Sequence, residues 1–214
     1  GAYRLAPGKT PFSGTDQVYG VNVSRFLADN DAADQLVLSL YGTLAAALTR
    51  GTYVAGEAAS LTPLHGARYR TMYLPPNNGA GAAYLETLRS TLVHESRGPK
   101  GAPRGLELAF ATPRAWLAPG KTISVSGAPT SFGPVSFSLA RDGGAVRITV
   151  TPPSAPAPAT LKLRLRLPAG DRIAAVELDG ASVPFDRGTG TIDLSGRRGE
   201  LDVVASLGAA GARR

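Results

Sequence analysis

A change of hydrophobic period near residue 98 constrains this chain more than any other feature. Before that point, apolar residues recur every three or four positions, which is the spacing of amphipathic helices. After the stretch SRGPKGAPRG they alternate every second position, in short runs separated by glycine, proline and Asp-Gly turns, as in strands. The sequence therefore predicts an α+β protein, with a helical region over residues 1–98 and an antiparallel β-sandwich domain over residues 99–214.

Two helices are predicted at the start of the chain. The first covers residues 15–28 and opens with Thr15 and Asp16, which are residue types that cap helices. The second runs from a capping Asp31 to Gly51, a residue typical of helix ends. The apolar face of the second helix comprises Leu36, Val37, Leu40, Tyr41, Leu44, Ala47 and Leu48.

A third helix is predicted within PPNNGAGAAYLETLRSTLVHE, where Asn77 or Asn78 can act as the cap. Its expected buried stripe comprises Tyr84, Leu85, Leu88, Leu92 and Val93. The first half of the chain is therefore expected to alternate helices with loops.

Eight segments of the second half have the alternation of strands. They are GLELAFA, KTISVSG, VSFSLA, AVRITV, LKLRLRLP, RIAAVELDG, TIDLS and ELDVVASLG. The proline-rich residues 151–160 lie between strands of the same pattern, so we interpret them as a loop within the sandwich. In LKLRLRLP the leucines are expected to face the core, whereas Lys162, Arg164 and Arg166 are expected to face solvent.

Composition excludes several classes of function. The chain has no cysteine and only two widely separated histidines, so we expect no metal and no cofactor. The net charge of +7 is carried mostly by arginines and accompanies no known nucleic-acid-binding motif, which predicts no nucleic-acid partner. No apolar run is long enough to span a membrane.

His65 and His94 are expected at the surface or at helix caps. Trp116 is expected in the core rather than stacked on a sugar ring.

One carboxylate stands out in RGTYVAGEAASLTP, residues 50–63. Glu57 lies there among glycine, alanine, serine and threonine, without helical or strand periodicity. Small residues let the backbone and a ligand approach closely, and loops often carry functional groups. Glu57 is therefore a candidate functional acid, and the alternative is a solvated loop residue.

A polar cluster follows this loop in RYRTMYLPPNN, residues 68–78. Hydroxyl, amide and guanidinium groups near one acid are the groups expected in a pocket for a hydroxyl-rich ligand. The candidate binding residues are Tyr53, Arg68, Tyr69, Tyr73, Asn77 and Asn78. A turn followed by a helix cap would also explain the two asparagines.

The order of LYGTLAAALTRG, TYVAGE and PPNNGAGAAYLETLR resembles the last hairpin of the six-hairpin glycosidases. These are helical-toroid enzymes that include α-L-rhamnosidases and fucosidases. In several of these families a helix ends in a turn of small residues followed by an acid that is the catalytic base, and the resemblance assigns this role to Glu57. Those families usually have tryptophan directly before the acid, whereas this chain has Gly56. The second half resembles the β-sandwich that follows the toroid.

The resemblance implies that this chain is the C-terminal part of a larger, inverting glycoside hydrolase, which is incomplete without the N-terminal part of the same protein. That part would carry the general acid, the substrate would be a glycan, and the protein would be secreted or belong to the cell envelope.

Two alternatives remain open. A polysaccharide lyase of the same architecture would use Tyr69, Tyr73, Asn77 and Asn78, and a non-catalytic glycan-binding or structural module would use no acid at all.

Overall fold

The computed structural model describes residues 2–4, 13–60, 72–154 and 156–209, and the chain divides into two units at Thr91 and Leu92. The first unit contains three helices and four short strands among its described residues. They are β1 (Ala2–Arg4), β2 (Ser13–Asp16), α1 (Gln17–Asp29), α2 (Ala33–Ala47), β3 (Ala58–Ser60), β4 (Met72–Tyr73) and α3 (Asn78–Leu92). Three helices do not form the toroid of the six-hairpin enzymes.

The four strands form an antiparallel sheet in the order β1-β2-β3-β4, with Thr15 opposite Ala59. This sheet was not predicted from the sequence. Its strands are two to four residues long, and β3 is buried at every position, so no alternation marks it. After α2 the chain forms β3, which pairs with β2, and it thereby returns to the start of α1.

The first two predicted helices are confirmed, but their end residues differ from the prediction. Asp16 caps α1 as predicted, because its Oδ1 accepts a hydrogen bond of 2.8 Å from the Tyr19 amide. Asp31 does not cap α2, since its φ of 54° lies in the left-handed region and the helix begins at Ala33 without a side-chain cap. The predicted apolar face is buried at Leu36, Leu40 and Ala47.

The third helix is capped by Asn77, whose Oδ1 accepts a hydrogen bond of 2.9 Å from the Ala80 amide. Its buried face was predicted wrongly, since Leu85 is exposed. The buried residues are Ala80, Ala83, Thr87 and Thr91. The two threonines can be buried because each hydroxyl donates to a carbonyl of the same helix. The helix ends at Leu92, and Val93 begins a strand.

The second unit contains the predicted sandwich, and all eight predicted strands are confirmed. The strands are β5 (Val93–Arg97), β6 (Pro103–Leu108), β7 (Thr122–Ala128), β8 (Val135–Asp142), β9 (Ala145–Thr151), β10 (Thr160–Arg164), β11 (Asp171–Leu178), β12 (Ala181–Ser182), β13 (Phe185–Asp186), β14 (Thr191–Asp193) and β15 (Leu201–Ala209). The two sheets have the orders β13-β14-β10-β6-β5 and β12-β11-β15-β9-β8-β7. Pairing is antiparallel except between β6 and β10, which run parallel.

One core lies between the two sheets. Its fully buried side chains include Leu106, Leu108, Leu163, Ile192, Leu139, Ile148 and Val203. Burial of each leucine or isoleucine side chain stabilises the fold by about 1.5–3 kcal/mol. Trp116, in a 3₁₀ turn over Arg114–Leu117, is partly buried and packs against this core.

Two expectations about charged or polar residues were wrong. Arg166 is only 5% exposed, and its Nη1 donates a hydrogen bond of 3.1 Å to the Thr112 carbonyl, because β10 ends at Arg164 and the alternation stops there. His94 is buried in β5 rather than exposed, with its ring centroid 4.8 Å from that of Phe110. The buried Arg166 guanidinium needs such a carbonyl partner, since an unpaired buried charge is costly.

Another buried arginine connects the 3₁₀ turn to the sandwich. Arg141 Nη1 donates to the Leu117 carbonyl at 3.2 Å and to Asp171 Oδ2 at 2.7 Å. The hydrogen bond from Arg141 holds the pKa of the Asp171 carboxyl below its usual range. The turn that carries Trp116 is therefore fixed by a charge-assisted contact as well as by packing.

Candidate functional site

The segment between α2 and β3 carries the candidate acid. A closed turn occupies residues 49–54, in which the Thr49 hydroxyl accepts from the Val54 amide at 2.7 Å and the Thr49 carbonyl accepts from the Tyr53 amide at 3.0 Å. Tyr53 has a φ of 54°, an uncommon conformation for a residue with a large side chain. Such conformations cluster at functional sites.

The backbone around Glu57 is held from three directions. The Glu57 amide donates to the Tyr73 carbonyl at 2.9 Å, and the Glu57 carbonyl accepts from the Gln17 amide at 3.2 Å. The preceding Ala55 carbonyl accepts from the Asn77 amide at 2.8 Å. The start of α1, strand β4 and the residue before α3 therefore all fix the position of this peptide.

Gly56 leaves no room for a side chain beside the candidate acid. A Cβ at this position would lie 2.7 Å from the Tyr73 carbonyl oxygen and 3.2 Å from Met72 Cβ. Close approach of β4 thus requires glycine here. A tryptophan side chain at position 56 would not fit in this arrangement.

The Glu57 side chain is half-buried and directly precedes the fully buried strand β3. Within the part of the chain that the structure describes, its carboxylate receives no hydrogen bond from a side chain. A half-buried carboxylate on a fixed backbone, with lone pairs available, can accept a proton from a bound water.

The structure brings some of the predicted binding residues to Glu57 and not others. Tyr73 and Asn77 are joined to residues 55–57 by the backbone hydrogen bonds described above. The Tyr73 and Tyr53 side chains are exposed, and Tyr53 belongs to the turn that precedes the acid. Asn77 is used as a cap, as the alternative interpretation predicts, and Asn78 is the first residue of α3. Arg68, Tyr69 and His65 lie outside the described residues.

Tyr84, which was not predicted as a binding residue, interacts electrostatically with both Tyr41 and Tyr53. Burial raises the pKa of Tyr84, and the neighbouring Tyr41 and Tyr53 hydroxyls raise it further. Tyr41 and Tyr84 had been assigned only to the apolar faces of α2 and α3. Their periodicity could not distinguish them from core residues, because a tyrosine contributes an apolar ring as well as a hydroxyl.

Gln17, the first residue of α1, was not predicted to contact the candidate site. Gln17 is 3% exposed, and its Nε2 donates to the Ala47 carbonyl at 3.2 Å and to the Gly56 carbonyl at 3.0 Å. A glutamine at a helix start gives no signal in the sequence that it reaches residues so distant along the chain.

Other kinds of site are not found among the described residues. They contain no group of three or more histidine, cysteine, aspartate or glutamate side chains that could hold a metal ion. None of their helices is long and apolar enough to cross a membrane.

Comparisons with known proteins give no family assignment. No model of a known protein family matches the chain, and no curated protein matches it. One similar solved structure is described as a glycoside hydrolase, with 18% identity and a TM-score of 0.46, covering 97% of this chain and 34% of that chain. Another is a GH127 β-arabinofuranosidase, with 14% identity and a TM-score of 0.42, covering 91% of this chain and 33% of that chain. The chain thus spans about a third of the length of these structures.

Proposed function

We propose that this chain is part of a glycoside hydrolase that acts by inversion, with Glu57 as the general base. The observation that carries the proposal is the fixed peptide around Glu57, whose half-buried carboxylate receives no side-chain hydrogen bond from the described residues. A base must be held in place to act on one particular water. The three backbone hydrogen bonds at residues 55–57 supply that constraint.

In the proposed reaction, Glu57 removes a proton from water as the water oxygen attacks the anomeric carbon. The glycosidic C–O bond breaks at the same time, and a second carboxylic acid protonates the departing oxygen. The product is a hemiacetal whose anomeric configuration is opposite to that of the substrate. Tyr53, in the turn before the acid, and Tyr73, whose carbonyl accepts from the Glu57 amide, have exposed side chains and are the proposed sugar contacts. Arg68, Tyr69 and Asn78 remain proposed binding residues from the sequence.

The described acids of the first unit do not provide the second carboxylate. Glu86 is bound to Arg25, with distances of 2.6 and 2.9 Å from the guanidinium nitrogens to its two oxygens. Asp16 caps α1. Asp29 is the last residue of α1, roughly 18 Å from Gln17 at 1.5 Å per residue. Asp31 and Asp34 lie at the start of α2, roughly 20 Å by the same measure from Ala47 at its other end. We therefore propose that the general acid belongs to another part of the same protein.

Exposed apolar side chains on the helices support such a partner. Tyr19, Val23 and Phe26 lie on one face of α1 at the i, i+4, i+7 spacing and are all exposed. On α2, Leu38 is 72% exposed. Apolar side chains grouped in this way are typical of a surface that another segment covers.

The first test is the stereochemistry of the product. We expect the complete protein to cleave at least one member of a panel of aryl glycosides and polysaccharides. Proton NMR of the first-formed sugar should show the opposite anomer, before mutarotation mixes the two forms. Retention of configuration would contradict inversion. An unsaturated sugar would indicate the lyase, and binding without any product would indicate a non-catalytic module.

The second test concerns the proposed partner segment. The 214-residue chain alone is expected to hydrolyse none of the panel, because a base without its acid lacks half of the inverting pair. Activity should appear when the preceding part of the protein is fused to it. Hydrolysis by the isolated chain that is lost in Glu57→Gln would show instead that the whole site lies within these residues.

A further inference from the structure

We infer that Gln17 is a positioning residue that fixes the peptide carrying Glu57. The inference rests on the proposed function, because positioning has meaning only if Glu57 acts on a substrate. It assigns a role to a residue that makes no contact with the reacting groups.

The Gln17 side chain joins two segments that are far apart in sequence. Its Nε2 donates to the carbonyl of Ala47, the last residue of α2, at 3.2 Å. The same nitrogen donates to the Gly56 carbonyl at 3.0 Å. The last carbonyls of a helix have no partner within the helix. Gln17 therefore satisfies the end of α2 and at the same time sets the distance from α2 to the residue before Glu57.

The Gln17 backbone adds a second contact at the next residue. Its amide donates to the Glu57 carbonyl at 3.2 Å, so one residue binds the consecutive carbonyls of Gly56 and Glu57. The peptide planes on both sides of the Glu57 Cα are thereby oriented by Gln17. Because α1 begins at Gln17 and is capped by Asp16, the donor itself lies on a rigid element.

The polar atoms of the buried Gln17 side chain indicate that its amide serves to donate hydrogen bonds to particular carbonyls. Gln17 Oε1 is buried without a hydrogen-bond partner among the described residues, as is the Thr15 hydroxyl two positions earlier. A buried polar atom without a hydrogen-bond partner destabilises the folded protein. An apolar side chain of similar size would avoid this cost at Oε1. Glutamine supplies amide donors for the Ala47 and Gly56 carbonyls, whereas an apolar residue has no donor to offer them.

The experiment uses two Gln17 variants in the complete protein. Gln17→Met keeps the length of the side chain and removes both donors. Gln17→Glu keeps its shape but cannot donate to both carbonyls, since a glutamate has one donor when its carboxyl is protonated and none when it is ionised. Gln35→Met is the matched control, because Gln35 is an exposed residue of α2. The assay measures kcat and KM on the aryl glycoside that the wild-type protein cleaves fastest, together with hydrogen exchange of the peptide that contains residues 55–57.

Both Gln17 variants are expected to lower kcat by roughly ten- to a hundredfold, since displacement of a catalytic group by about 1 Å has an effect of this order. KM should stay within about twofold, because the sugar contacts are unchanged. Exchange in residues 55–57 should be faster than in the wild-type protein, and Gln35→Met should match the wild type in all three measurements.

Unchanged kcat in a folded Gln17 variant would overturn the inference, as would a change in KM alone. If Gln17→Met does not fold, Gln17→Glu provides the test, and failure of both to fold would make Gln17 a folding residue instead.

Glu57→Gln is assayed in parallel. Wild-type turnover in Glu57→Gln would refute the proposed function, whereas an inactive Glu57→Gln with active Gln17 variants would refute only the positioning role.

Discussion

Glu57→Gln in the complete protein is expected to lower turnover of its best glycoside by about 10²–10⁴-fold, the usual contribution of a positioned acid or base. The amide has nearly the same shape as the carboxylate but cannot accept the proton of the attacking water. The backbone hydrogen bonds of residues 55–57 involve no Glu57 side-chain atom, so the fold should be preserved. Steady-state kinetics and circular dichroism provide the two readouts.

Glu86→Gln is the matched control, because Glu86 is the other glutamate among the described residues of the first unit. Its carboxylate pairs with Arg25 at a partly exposed position. Loss of an exposed ion pair costs about 0.2–1 kcal/mol of stability. Turnover should remain close to that of the wild type. Equal losses of activity in the two glutamate variants would show that the effect is not specific to Glu57.

Phe110→Ala is expected to lower the free energy of unfolding of the sandwich unit by about 3–5 kcal/mol, the typical cost of removing a buried aromatic side chain. Phe110 is 1% exposed and packs against the His94 ring. The Arg164 guanidinium lies 5.0 Å from its ring centroid, so the substitution also removes a cation–π contact. Urea unfolding of the 214-residue chain measures the change.

Phe26→Ala is the control for this measurement, since the Phe26 side chain on α1 is 64% exposed. It should change the free energy of unfolding by no more than about 0.5 kcal/mol. If Phe110→Ala is as stable as Phe26→Ala, the contacts of Phe110 with His94 and Arg164 do not stabilise the sandwich unit.

The sandwich could be predicted from the sequence because its strands obey a local rule. Each has one face toward the core, so apolar residues alternate in every strand long enough to show the pattern. The prediction failed at Arg166 because it extended the alternation beyond the end of β10. It failed for the sheet of the first unit because strands such as β3 are too short and too uniformly buried to alternate.

The helices show a second limit of sequence patterns. Asp16 and Asn77 were found as caps because capping depends on residues three positions apart. The buried face of α3 was assigned to leucines, whereas alanines and threonines occupy it. Threonine can be buried there only because its hydroxyl bonds to its own helix, which a hydropathy pattern does not record.

The candidate site was predictable only in part, for a similar reason. Glu57 was identified because it is isolated among small residues, a local feature of the sequence. Gln17 was not identified, since its two side-chain hydrogen bonds reach residues 30 and 39 positions away. Contacts of this kind depend on the tertiary fold and leave no local pattern.

The most direct test of the central claim is azide rescue of Glu57→Ala in the complete protein. Removing the base leaves a space in which a small anion can attack the anomeric carbon without losing a proton. The account predicts almost no hydrolysis without azide, and with azide a glycosyl azide of configuration opposite to that of the substrate, identified by NMR. Hydrolysis at the wild-type rate without azide, or a glycosyl azide of retained configuration, would contradict the assignment of Glu57 as the general base.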